Sequence, residues 1–436
     1  GKVGNRPLAP SCKARGFFLF QPIWRSGVMI IMNTTDLSPL QKALASSKSY
    51  YWFVVLMMVV LSAQGSFVND MYTPALPSMC SFFGCSVSVG QMGLTMGMIG
   101  LALGQLFLGP VSDKYERKPV LITATALFIV AAIASVFSPS ILVFNLCRFF
   151  QGVGASAGYF LARTIPADAY SGRDLAKLMA IVGAINGIAP ASSPVIGGVL
   201  SQEWGWKSIF IVLACFSAVV IVLACRMKES LPDSRRITGS VFSAFPDYVK
   251  LLRNKAFMIH VMLKGTALGL LFSYISSSPF IMQTHYGLSQ TVYGIFIGVN
   301  ALFMAAGSML SLHFRPYKRG AMVGSGIATA GVLVLSVVLY TVHNLWIYDI
   351  CMVVILFALG MVFATANTLA MNEGREFSGE AAAIVGVAGY IVSAVVSPLV
   401  GIGNILHSTA VTNVILAAFV MFFAIASKRL PADLWK

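Results

Sequence analysis

From Tyr51 onward the chain is a succession of apolar runs of eighteen residues or more, separated by short polar links. A helix of that length crosses the ~30 Å hydrocarbon core of a bilayer. The runs are continuous and do not alternate, which argues for helices over strands. The pattern predicts twelve helices, over 51–72, 89–109, 119–138, 141–165, 176–200, 207–225, 256–279, 291–312, 321–341, 346–370, 380–403 and 408–427. The longest internal link, 226–255, separates six from six. It holds Arg226, Lys228, Glu229, Pro232, Asp233, Arg235 and Arg236, and reads as a solvated linker with one amphipathic stretch. The expected organisation is an N-terminal extension over 1–48, a six-helix bundle over 49–225, the linker, a second bundle over 256–427 and a tail over 428–436. Two six-helix halves about a central pathway are a repeat architecture common to secondary transporters.

Composition agrees with an all-α membrane protein. Hydrophobic residues make up 57% of the chain and charged residues 10%, against about 25% charged in a soluble domain. The net charge of +15 would suit nucleic acid, but the basic residues sit in the short links and form no stripe with interleaved aromatics. Nucleic-acid binding is therefore rejected. With both termini cytoplasmic, 27 of the 30 Lys and Arg fall on the inner side. Lys207 alone lies outside, and Arg148 and Lys264 lie within helices. This asymmetry is how a membrane protein sets its orientation, and it supports the helix count.

The seven Cys and five His show no metal-ligand spacing, so neither a metal nor a cofactor is expected. Cys80 and Cys85 fall in a loop placed outside, where an oxidising compartment permits a disulfide; two free thiols is the equal alternative. Residues 1–31 mix basic residues, Pro and short apolar scraps without a cleavage site. Met32-Asn33-Thr34-Thr35-Asp36 reads like a natural start, and the extension before the first helix is expected to be largely disordered.

An ionisable group in hydrocarbon costs roughly 2.5–3.5 kcal/mol, so each one needs a reason. Asp70 closes the first helix. A partly buried carboxylate can take up a proton from an acidic exterior and lose it inside; the structural alternative is a helix-end Asp serving local backbone N–H groups. Arg148 cannot shed its charge. It either tunes the proton site and exchanges partners, or is a fixed hydrogen-bonding hub. Lys264 either snorkels to the inner surface or lines the cavity. The link 109–118 carries Gly109, Asp113, Lys114, Arg117 and Lys118 and reads as a gating loop whose Asp and Arg latch the inner side. In the fifth helix, Gly183, Gly187, Pro190, Pro194, Gly197 and Gly198 suggest a tight, kinked seal against Gly294 and Gly298. Phe67, Tyr72, Tyr159, Asn186, Lys264, Tyr274, Phe280, Asn300, Asn367 and Tyr390 are candidate cavity-lining residues, chosen by helix and polarity.

These residues resemble the major facilitator superfamily and, within it, the Bcr/CflA group of drug-resistance antiporters. The resemblance covers about residues 50–430. Gly109 to Lys118 is similar to the superfamily's helix 2–3 signature, G-x-x-x-D-[RK]-x-G-[RK]-[RK], with Glu116 in place of the second Gly. Arg148-Phe149-Phe150-Gln151-Gly152 resembles the helix 4 signature, and the Gly/Pro run of the fifth helix resembles the antiporter signature. Asp70-Met71-Tyr72 with Pro74-Ala75-Leu76-Pro77 resembles the narrower group. So do Ser278-Pro279-Phe280 with Tyr286-Gly287-Leu288-Ser289, Trp206 to Phe210, and Glu229-Ser230-Leu231-Pro232. The resemblance implies a twelve-helix, monomeric protein of the bacterial inner membrane that exports small amphipathic molecules against protons. Some relatives carry a second acid two turns before the helix 1 Asp; here it is Ser62, which leaves the coupling to Asp70 with Arg148.

Two other readings follow from the sequence. Export of one metabolite, such as an amino acid or siderophore, stays within the same class. A membrane-embedded enzyme would need a paired-carboxylate motif, a His/Cys cluster or a phosphate loop, and a channel would need a filter-like segment; the sequence has none of these.

Overall fold

The computed structural model describes residues 23–25, 28–30, 38–170, 172–236, 245–342 and 344–430. Two short strands, β1 (Ile23–Arg25) and β2 (Val28–Ile30), pair antiparallel. The helices are α1 (Pro39–Ser46), α2 (Lys48–Asp70), α3 (Leu76–Phe83), α4 (Val87–Tyr115), α5 (Arg117–Val136), α6 (Ile141–Ala169), α7 (Gly172–Trp204), α8 (Trp206–Arg226), α9 (Phe245–Arg253), α10 (Lys255–Pro279), α11 (Gln290–Leu310), α12 (Tyr317–Thr341), α13 (Leu345–Glu373), α14 (Ser378–Leu399) and α15 (Ile405–Arg429). Eleven helical spans among the described residues are long and apolar enough to cross a membrane. The 29-residue α6 has the length, but Arg148, Arg163 and Asp168 dilute its hydropathy.

The helix ends follow from local chemistry. A helix N-terminus leaves backbone donors that hydrocarbon cannot satisfy. Asn344 accepts from the N–H of Trp346 at 2.9 Å and Ile347 at 3.2 Å, and Asn404 caps α15 in the same way. The exterior is apolar: Leu142 is 77% exposed and Phe422 61%. The interior holds polar groups, with Arg148, Gln151, Thr125 and Ser135 fully buried. That arrangement suits a protein whose solvent is lipid.

The same close contact recurs in each half. A Cβ on Gly100 of α4 would lie 2.1 Å from the Phe149 carbonyl of α6, and one on Gly152 would lie 2.1 Å from the Gly97 carbonyl. In the second half a Cβ on Gly307 of α11 would meet the Phe357 carbonyl of α13 at 1.9 Å, and one on Gly360 the Met304 carbonyl at 2.0 Å. Small residues let these backbones touch, as membrane helix pairs require.

Three expectations need correction. The stretch 39–46, assigned to a disordered extension, is a helix with a Ser38–Gln41 capping box. Its Leu40 is buried, and the Leu40 N–H donates to the Glu229 carbonyl at 2.9 Å. Propensity and capping chemistry favour this helix, which a pattern of long apolar runs does not reveal. The linker is less solvated than predicted: Met227, Ser230 and Leu231 are buried against the first bundle. Its amphipathic stretch is α9, and 237–244 lie outside the described residues. The sequence predicts no strands, and β1–β2 is a local ladder within the segment read as extraneous. The suggested start at Met32 and the disorder assigned to 1–22 also lie outside the described residues.

Candidate functional site

The helix ends define two faces. At one, the basic end, most of the Lys and Arg gather around the ends of α4, α6, α8, α10, α11 and α13. At the other lie the turns near residues 70–87, 204–206, 279–290 and 399–405. This second end is closed by contacts between the halves. Gln91 donates to the Ser276 carbonyl at 2.9 Å, Thr95 to the Ala394 carbonyl at 3.0 Å, and Ser88 to the Pro398 carbonyl at 2.9 Å. Gln283 donates to the Pro74 carbonyl at 2.9 Å. Along the α7–α11 seam, a Cβ on Gly294 would sit 2.3 Å from the Pro194 carbonyl, and one on Gly198 would sit 2.4 Å from the Gln290 carbonyl.

Not every glycine assigned to the seal belongs to it. Gly197 packs against the Met71 carbonyl within the first half. At Gly183 and Gly187 an added Cβ would meet nothing within 4 Å. They lie on the part of α7 nearer the basic end. The tight approach is confined to one end, and a uniform Gly/Pro pattern does not reveal which turns touch.

Asp70 lines a cavity of about 130 Å³ between the halves, with Pro190 and Pro194 of α7, Tyr274 of α10 and Tyr293 of α11. Its carboxylate makes no ion pair among the described residues. The surroundings are chiefly apolar, so they contribute little to holding a charge. A larger, open depression of about 390 Å³ lies on the outside of the first half, around Tyr50, Arg226 and Lys228, and contains none of these residues.

Arg148 lies one helix away. It is fully buried and donates to the Val68 carbonyl at 2.9 Å, Asn69 Oδ1 at 3.4 Å and Gln151 Oε1 at 2.5 Å. Its guanidinium stacks over the Tyr72 ring at 4.2 Å. Gln151 in turn donates to Ser135 Oγ at 2.7 Å. Arg148 thus fixes the last turn of α2, from which Asp70 projects, without touching its carboxylate. Tyr72, expected to line the cavity, is fully buried against Phe144 and Phe210, and Phe280 is buried in the apolar core. Aromatic residues of the packing and of a cavity wall have the same sequence signature.

The assigned gating loop is mostly helix. Residues 109–115 are the last turns of α4, and only Glu116 breaks the run, at φ +75°. This is the position where the signature has Gly, the residue that takes positive φ without steric cost. Arg117 pairs with Asp113 at 2.5 Å and with Asp168 of α6 at 3.0 Å. Glu229 accepts from the N–H of Arg117 at 3.1 Å and of Lys118 at 3.0 Å, putting a carboxylate on the positive end of α5. Lys118 donates to the Cys225 carbonyl, Lys114 lies over its neighbour Tyr115, and a Cβ added at Gly109 would meet nothing within 4 Å. All these partners belong to the first half and its trailing segment. Sequence reasoning missed Asp168; its only signal is an acidic residue near the end of a helix.

Between the closed end and the basic end lies a second polar group. Arg163 of α6 donates to Tyr159 Oη at 3.3 Å and stacks over its ring at 4.7 Å. Tyr159 lies within electrostatic range of Tyr390 of α14, across the two halves. Lys264 of α10 donates to Asn367 Oδ1 of α13 at 2.7 Å and interacts electrostatically with Tyr159 and Arg163. Tyr159, Lys264, Asn367 and Tyr390 are thus brought together. Arg163, counted with the basic residues of the inner side, lies within α6. Phe67 packs against Phe216 with the rings tilted and their centroids 5.4 Å apart. Asn186 is half-buried, and Asn300 is buried between Tyr274 Oη and Asp349. Cys80 and Cys85 are free thiols in the turn region after α2.

Comparison with known proteins accounts for this arrangement. Residues 55–398 match the family model of the Major Facilitator Superfamily. An uncharacterized MFS-type transporter, YdgK, of Bacillus subtilis (strain 168) is 32% identical over 360 residues, 80% of this chain and 89% of that protein. Multidrug resistance protein D of Escherichia coli (strain K12) is 29% identical over 341 residues, 76% of this chain and 84% of that protein. A solved bacterial homologue of the human lysosomal transporter Spinster, in an inward-facing and unoccupied conformation, superposes with a TM-score of 0.69 at 16% identity, covering 88% of this chain and all of that one. The chain belongs to the major facilitator superfamily, as a multi-pass transporter of the bacterial inner membrane rather than an enzyme.

Proposed function

We propose that the chain is a proton-coupled exporter of small amphipathic molecules that works by alternating access, as a monomer. In this reading α6 is the twelfth spanning helix, the helices form two six-helix bundles, and both termini lie in the cytoplasm with the basic end. The closed end then faces outward, and the conformation is the one that loads from the cytoplasm or inner leaflet. The observation that carries the reading is Asp70: a carboxylate with no cationic partner among the described residues, in a small cavity between the two halves, at the end that must open to the outside. There it can take a proton from the exterior when the seal parts and lose it to the cytoplasm when the seal reforms. The likeness to a multidrug resistance protein supports drugs as the cargo.

A drug panel tested in an efflux-deficient host should reveal exported compounds. For those compounds, purified wild-type protein should release protons on substrate addition, and Asp70→Asn should abolish the release. Proton release unchanged by Asp70→Asn would reject the assignment.

A further inference from the structure

We propose that the central cavity takes organic anions: molecules with an apolar body and one acidic group held between Arg163 and Lys264. The inference deepens the exporter reading by naming its substrate class, and it rests on that reading. Two cations from opposite halves lie near each other, Arg163 from α6 and Lys264 from α10. They lie within electrostatic range of each other. Among the described residues neither forms an ion pair, and the partners they do have are neutral: Tyr159, Tyr390 and Asn367.

Snorkelling does not explain Lys264. It stands nine residues into α10, ~13 Å along a helix that rises 1.5 Å per residue, and its ammonium is bonded to Asn367 on a neighbouring helix. Nor does structural pairing explain Arg163, whose side chain is exposed and braced by one phenol. Two like charges held together without a counterion repel. An anion placed between them would relieve that repulsion. A carboxylate suits this site well, since a guanidinium fork binds it in two places. Phe67, packed against Phe216, and Tyr390 supply apolar surface for the rest of the ligand. Because the two cations belong to different halves, a bridging anion would also draw the basic end together, which is the movement that begins export. Asp70, an acid without an ion-pair partner among the described residues, has a charge that is felt at Tyr390. It lies toward the closed end, where it does not compete for the pair.

The test uses three probes with one apolar body: 2-naphthoate, 2-naphthamide and 2-naphthylmethylammonium, with charges of −1, 0 and +1. Their binding to the full-length purified protein is measured by calorimetry at fixed ionic strength. Naphthoate should bind at least tenfold more tightly than either of the others. Lys264→Gln should reduce that ratio to about one, and Lys264→Arg should keep most of it. Equal affinity for all three probes in the wild type, or preference for the cation, overturns the proposal without the need for any variant. Inorganic phosphate that displaces naphthoate at equal concentration would show a site for small anions only and would also overturn it. Vesicles of phosphatidylglycerol that abolish naphthoate binding would identify a lipid headgroup as the occupant, with the same consequence. Loss of anion preference alongside intact Asp70-dependent proton release would remove this inference and leave the exporter reading standing.

Discussion

The seam between α7 and α11 sets how readily the closed end parts, and a single methyl group there should change it. At Gly294 an added Cβ would lie 2.3 Å from the Pro194 carbonyl oxygen. That atom is backbone on a packed helix, so it cannot rotate away. To reach ordinary contact the two helices must separate by about 1 Å. Overpacking of this kind costs about 1–3 kcal/mol. Under the alternating-access reading proposed above, the cost falls only on the conformation with the seal closed, because the halves part at this end in the other. Gly294→Ala should therefore shift the equilibrium toward the opposite conformation by about 5- to 150-fold. Gly198→Ala, at 2.4 Å from the Gln290 carbonyl, should act in the same direction. Spin labels at Ser81 and Thr284, exposed residues of different halves at this end, would report the shift by pulsed dipolar spectroscopy, in a background with the native cysteines replaced. Gly197→Ala is the internal control: its clash is with Met71 in its own half, so it should lower the Tm and leave the distance distribution alone. A distribution unchanged by Gly294→Ala, or shifted equally by Gly197→Ala, would refute the argument.

Other substitutions test the remaining parts. Arg148→Lys cannot reproduce the contacts to Val68, Asn69 and Gln151 together; buried acceptors left unpaired should cost about 2–4 kcal/mol, read as a lower Tm in detergent. Glu116→Gly removes a side chain from a backbone position at φ +75°. It gives up only the half-exposed pair with Arg236, so Tm should rise, by about 1 kcal/mol of stability or less. Asp168→Asn takes the charged partner from the Nε of buried Arg117 and should destabilise the first half by about 1–3 kcal/mol, whereas Asp174→Asn, in an exposed pair with Lys177, should change Tm little.

The fold is legible in the sequence because its largest energetic term is one-dimensional. Each spanning helix must be apolar over its own length, so the runs can be read without knowing any neighbour. Hydropathy ends α4 six residues short because Asp113 and Lys114 are polar, and it cannot see that a helix continues through them into water. It misses α1 for the opposite reason: eight residues with a capping box are a good helix and a poor span. Buried Leu40 and the Glu229 carbonyl decide its position, and both contacts are tertiary.

The site is legible only in part, and α6 shows why. Its three charged residues, Arg148, Arg163 and Asp168, occur on one helix, and a count of charge treats Arg163 as one more basic residue near a helix end. In three dimensions they divide by height and facing. Arg148 turns inward and holds the end of α2, and Asp168 anchors Arg117 at the basic end. Arg163, between them in sequence, faces α10 and α14 of the other half. Residues 148 and 163 are fifteen apart, about four turns and ~22 Å, so they belong to different depths of the protein although they share a helix. Arg163 bonds Tyr159 on its own helix and Lys264 bonds Asn367 in its own half; what sets these two apart from Arg148 and Asp168 is that each lies near a cation of the other half. That relation exists only between helices distant in sequence, which is why Asp70 can be singled out as a lone acid while Arg163 and Lys264 cannot be recognised as a pair.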